Sequence, residues 1–66
     1  MATIKIKYDG MEKVVDFDEF VVQSGRMLDE FGLRASNDEI RKQVRAVIAG
    51  GKLNVIGVFL SDYIVK

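Results

Sequence analysis

Residues 36–51, Ser-Asn-Asp-Glu-Ile-Arg-Lys-Gln-Val-Arg-Ala-Val-Ile-Ala-Gly-Gly, are the stretch from which the fold is read, because start signal, apolar face and stop signal agree there. Ser36 can accept a hydrogen bond from a first-turn N–H, and Glu39 stands at the position from which a side chain reaches back to complete a capping box. Ile40, Val44, Val47 and Ile48 recur at the spacing of one helical face, with Arg41, Lys42 and Arg45 on the other. Gly50-Gly51 then offers a left-handed stop. The stretch predicts a helix.

Towards the N-terminus, Gly32-Leu33-Arg34-Ala35 is a link short enough to bring a preceding helix into contact, with Leu33 turned inward and Ala35 stapled against Ile40. That first helix is expected over 19–31, capped by Asp16 or Asp18, with Phe20, Gln23, Ser24, Met27, Leu28 and Phe31 along one side. Gly25 weakens it by about 1 kcal/mol relative to alanine. Before it, residues 3–17 contain two alternating runs around Asp9-Gly10, a dipeptide favoured in two-residue hairpin turns. A turn there sets Tyr8 against Met11, Lys7 against Glu12, Ile6 against Lys13 and Ile4 against Val15. Ile4, Ile6, Tyr8, Met11, Val15 and Phe17 then share the expected core face, with the Lys13 stem lying along Ile6 and its ammonium in water.

Towards the C-terminus, residues 53–65 satisfy two patterns at once. Ile56, Phe59, Leu60, Tyr63 and Ile64 have helical spacing, yet Val55, Ile56, Val58, Ile64 and Val65 are β-branched and Gly57 stands among them. Propensity favours a strand over about 52–60, with Ser61-Asp62 as a bend and Tyr63 to Val65 returning or continuing as extended chain. An isolated hairpin is marginal in water, so a third strand is also what residues 3–17 require. The expected fold is a small α+β domain, residues 1–66, ordered ββααβ, with a three-stranded sheet covered on one face by two helices.

Sixty-six residues suffice for one small domain, and the chain has neither cysteine for disulfides nor histidine for metal ligation. The core must hold alone or with a partner, and a homodimer would relieve its marginality. Lysine plus arginine equal aspartate plus glutamate, so no whole-molecule attraction to nucleic acid or anionic membrane is expected. The first third is acidic, with Asp9, Glu12, Asp16, Asp18 and Glu19, and the last half is basic. No apolar run reaches the ~18 residues of a membrane span, and the N-terminus lacks the order of a signal peptide. The expected compartment is the cytoplasm.

Without histidine or cysteine the usual nucleophile and base pairs are missing, and no enzyme activity, cofactor or metal is expected. Asp16, Asp18 and Glu19 could hold a hard cation, but at the start of a helix they complement its dipole. Gly50-Gly51-Lys52 lacks the remaining residues of a phosphate loop and follows a helix rather than preceding one. The strongest candidate site is the set Arg34, Arg41, Lys42, Arg45 and Lys52, a basic strip about 20 Å long by the helical rise. It could bind phosphate or an acidic protein, or be a solvated helix face with Asp38 and Lys42 as an i,i+4 pair.

Gly32-Leu33, Ser36, Ile48, Gly51, Val55 and Gly57, in two helices, a glycine-containing link and a strand, loosely resemble the small ribosomal-protein-type RNA-binding fold also found on some tRNA synthetases and pseudouridine synthases. The chain departs from that pattern at Asn37, where the family has arginine, and at Ile56, where it has asparagine. The resemblance implies RNA binding and is kept as an alternative, not as an assignment. The expected function is a small non-catalytic protein-interaction module or regulatory inhibitor, binding a partner protein through charged surface. The alternative is an RNA- or DNA-binding domain using the basic strip.

Overall fold

The computed structural model describes residues 2–66, and its elements run β1 (Thr3–Tyr8), β2 (Met11–Asp16), α1 (Phe17–Glu30), α2 (Asn37–Ala49) and α3 (Val55–Ser61). The order is therefore ββααα around a two-stranded antiparallel sheet. Four of the five elements follow the sequence reading. Ser36 caps α2, its Oγ accepting the Glu39 N–H at 3.2 Å, and the helix stops at Gly50 with a left-handed backbone. Asp16 caps α1 by accepting the Glu19 N–H at 3.0 Å, so this helix starts at Phe17, ahead of the expected residue 19. Asp9 and Gly10 both have positive φ, 50° and 77°, the backbone that a two-residue hairpin turn demands. The register is the expected one, Ile4 opposite Val15, Ile6 opposite Lys13 and Tyr8 opposite Met11.

The third strand does not form. Residues 55–61 are a helix, capped by Asn54, whose Oδ1 accepts the Gly57 N–H at 3.0 Å. Tertiary burial overrides the β-branched propensity: Ile56 and Leu60, one turn apart, enter the core with Ile64, while Val55 and Val58 face water. Gly57 permits the approach of α3 to α2, because a Cβ there would collide with Gln43 Oε1 and lie 3.0 Å from the Leu53 side chain. Gln43 Oε1 in turn accepts the Asn54 N–H at 3.1 Å, fixing the entry to α3. The expected sheet of three strands is thus replaced by two strands and a single bridge, in which Ile64 pairs with Ile6 through Lys7 N–H to Tyr63 C=O (2.8 Å) and Val65 N–H to Lys5 C=O (3.0 Å). The helix also removes the strand on which the resemblance to the RNA-binding fold depended.

One continuous core joins all these elements: Ile4 from the hairpin, Phe17, Phe20, Val21 and Leu28 from α1, Ile40, Val44 and Val47 from α2, and Ile56, Leu60 and Ile64 beyond. Leu33 and Ala35 of the link pack against it, as their positions suggest. The hairpin's inner face is only partly covered. Ile4 is buried and Ile6 and Val15 are half-buried, but Tyr8 and Met11 remain 64% and 71% exposed, so the expected core face ends before the turn.

Candidate functional site

The five basic residues do not form one free strip. Arg41 is half-buried, with Nη1 3.0 Å from Asp38 Oδ1 and Nε 3.6 Å from Asp18 Oδ1, which ties α2 to the first turn of α1. Arg45 lies over the Phe17 ring, its guanidinium carbon 5.7 Å from the centroid. These two therefore come together on the side of α2 turned towards the start of α1. Lys42 is exposed on α2, Arg34 is exposed in the α1–α2 link beside Asp29 and Glu39, and Lys52 is exposed in the α2–α3 link. Among the described residues, Lys42, Arg34 and Lys52 take part in no ion pair within 4 Å. The acidic cluster is likewise divided: Asp16 is a helix cap and Asp18 faces Arg41. Among the described residues no group of three or more acidic side chains is placed to hold a metal.

A different feature stands out at the hairpin. β1 sends its Lys5 carbonyl and Lys7 N–H outward, to Val65 and Tyr63. In an antiparallel pair the residues directly opposite one another are either both bonded within the pair or both turned away from it. Val14 opposite Lys5 and Glu12 opposite Lys7 accordingly direct their backbone N–H and C=O groups off the other side of the hairpin. That side is the edge of β2, and among the described residues no strand lies beyond it.

Beside this edge runs a groove of about 520 Å³ between the hairpin and α1, walled by Lys13, Val14 and Val15 of β2 and by Glu19, Phe20 and Gln23 of α1. Its lining includes Val14, whose side chain belongs to the opposite face of the hairpin from Lys13 and Val15, so the groove opens at the strand edge. Val14 is 62% exposed, and with Tyr8, which also lines the groove, it places two large exposed side chains at the groove. A smaller cavity of about 120 Å³ adjoins through Ile6, Tyr8, Phe20 and Gln23 and reaches the buried Ser24, whose Oγ finds no protein partner. Tyr63 lines the same cavity and ends a row of aromatic rings, Phe31, Phe59 and Tyr63, with centroids 5.2 and 5.9 Å apart.

Sequence reasoning located the hairpin but not its open edge. The signal was present in Val14, a β-branched residue on the otherwise charged face of Lys5, Lys7, Glu12 and Asp16. No helix among the described residues is long and apolar enough to cross a membrane. Comparison with protein-family models, with curated proteins and with solved structures finds no match.

Proposed function

We propose that this chain is a small non-catalytic protein-interaction module that captures a partner protein along the edge of β2 and the groove beside it. The observation that carries this reading is the outward direction of the Glu12 and Val14 backbone groups next to an apolar-mouthed groove. A row of unpaired strand donors and acceptors is a template for an added strand, and a helix alongside supplies pockets for alternate side chains. Charge takes part through Glu12, Asp16 and Glu19 rather than through the basic strip. Nucleic-acid binding has less support, since Arg41 is engaged by two carboxylates and the unpaired cations Arg34, Lys42 and Lys52 are divided between two links and α2.

The experiment compares partner capture from host lysate by the wild-type chain, Val14→Pro and Arg41→Glu/Arg45→Glu, each checked for folding by circular dichroism. The Val14 N–H is not used inside the hairpin, and proline is tolerated at such edge positions. The expected result is a nuclease-resistant partner retained by the arginine variant and lost by Val14→Pro. Capture that survives in folded Val14→Pro but disappears in the arginine variant would overturn the reading.

A further inference from the structure

The chemistry of β2 restricts what its edge accepts. Glu12, Val14 and Asp16 lie on one face of the strand, and a strand laid against the edge places its own alternate residues directly opposite them. A second copy of this chain fits poorly. Antiparallel pairing of β2 with itself centred on Val14 sets Glu12 against Asp16 twice, and pairing centred on Lys13 sets the two Lys13 side chains against each other. Like charges directly opposite destabilise a sheet, so the symmetric registers that use most of the strand are disfavoured.

We propose that the occupant of this edge is an extended segment of another protein with the alternation basic, β-branched, basic, a proposal that rests on the interaction-module reading above. The basic residues face Glu12 and Asp16, and the β-branched residue packs on Val14. Glu12 already attracts one cation, its Oε1 standing 3.1 Å from Lys5 Nζ across the hairpin, and the incoming cation approaches from the opposite side. The intervening residues of the segment point into the groove, where Phe20 and the half-buried Val15 offer apolar contact and Glu19 adds negative charge. Because the acidic residues bracket Val14 symmetrically, the same alternation serves a parallel or an antiparallel segment. The three basic groups Lys5, Lys7 and Lys13 lie one strand away or on the groove side, so they do not oppose the residues facing Glu12 and Asp16.

The test titrates the isotopically labelled chain with two capped pentapeptides, Lys-Thr-Val-Ile-Lys and Glu-Thr-Val-Ile-Glu, followed by amide chemical shifts. The lysine peptide is expected to shift the Glu12 and Val14 amides saturably, together with Glu19, Phe20 and Gln23, and to bind about tenfold more tightly than the glutamate peptide. Val14→Pro, or Val14→Lys should the proline variant not fold, is expected to abolish those shifts. Equal or reversed preference between the peptides, or shifts confined to α2 around Lys42, would overturn the proposal. The two readings fail differently. Loss of lysate capture in Val14→Pro combined with no preference for the lysine peptide retains the edge as the docking site and rejects this partner chemistry, whereas unaltered capture rejects the site itself.

Discussion

Lys5 and Val14 face each other across the hairpin with their backbone groups turned apart, the Lys5 carbonyl accepting from Val65 at 3.0 Å while Val14 looks outward from β2. One relationship thereby gives the two sides of a small sheet different fates. The β1 side is closed by residues 63–65 through the Ile6–Ile64 bridge, and among the described residues no strand pairs with the β2 side. Edge strands in natural proteins carry devices against indiscriminate pairing, and a charged residue directed inwards is one of them. Lys13, paired with Ile6 on the inner face, fits that description and works against self-association.

The approach of α3 to α2 depends on Gly57. Gly57→Ala should destabilise the chain by roughly 1–3 kcal/mol, the usual cost of overpacking, because Gln43 must leave the Asn54 N–H to make room. Urea denaturation measures this, and an unchanged midpoint would show that α3 does not sit where described.

Gly25 has no such role. A Cβ there would meet only Ile40 Cδ1 at 3.6 Å and Asn37 Oδ1 at 3.9 Å, ordinary contacts inside a helix. Gly25→Ala should therefore stabilise the protein by about 0.5–1 kcal/mol, read as a raised thermal midpoint.

The caps can be compared directly. Ser36→Ala and Asn54→Ala each remove the acceptor of one first-turn N–H, Glu39 and Gly57 respectively, and each should cost about 1 kcal/mol. Loss of α3 alone in Asn54→Ala, seen as fast exchange of the amides from Gly57 to Ser61, would mark this helix as a separately opening unit.

Much of the fold was legible because its signals are local. Asp9-Gly10, the caps at Asp16 and Ser36, and the glycine after α2 each act within one turn of chain, and each does in the structure what its position suggests. The segment after residue 52 was not legible in the same way. Its β-branched content and central glycine indicate a strand, while the determinants of the helix are an Asn54 cap and an acceptor on Gln43, eleven residues earlier in the chain. The site divides similarly. The positions of Arg41 and Arg45 on α2 follow from periodicity, but their neighbours Asp18 and Phe17 belong to another helix and depend on how α1 and α2 cross. The open edge required knowing that the C-terminus returns beside β1 and not beside β2.

Charge reversal on α2 separates structure from binding. Arg41→Glu would place three carboxylates together with Asp18 and Asp38, and Arg45→Glu would lose the cation over Phe17. Because Arg45, Asp18 and Asp38 are exposed and only Arg41 is half-buried, the double variant should lose only about 1–2 kcal/mol and keep its affinity for a segment bound at β2. Calorimetric melting and the peptide titration check the two halves of this expectation.

Amide hydrogen exchange along β2 tests the central claim most directly. In the free protein the N–H groups of Met11, Lys13 and Val15 should exchange slowly, bonded to Tyr8, Ile6 and Ile4, while those of Glu12 and Val14 exchange fast and that of Lys7, bonded to Tyr63, stays protected. When the captured partner is bound, Glu12 and Val14 should become protected as well. Slow exchange at Glu12 and Val14 in the free monomer, or continued fast exchange at both in the complex, would contradict the assignment of this edge as the docking site.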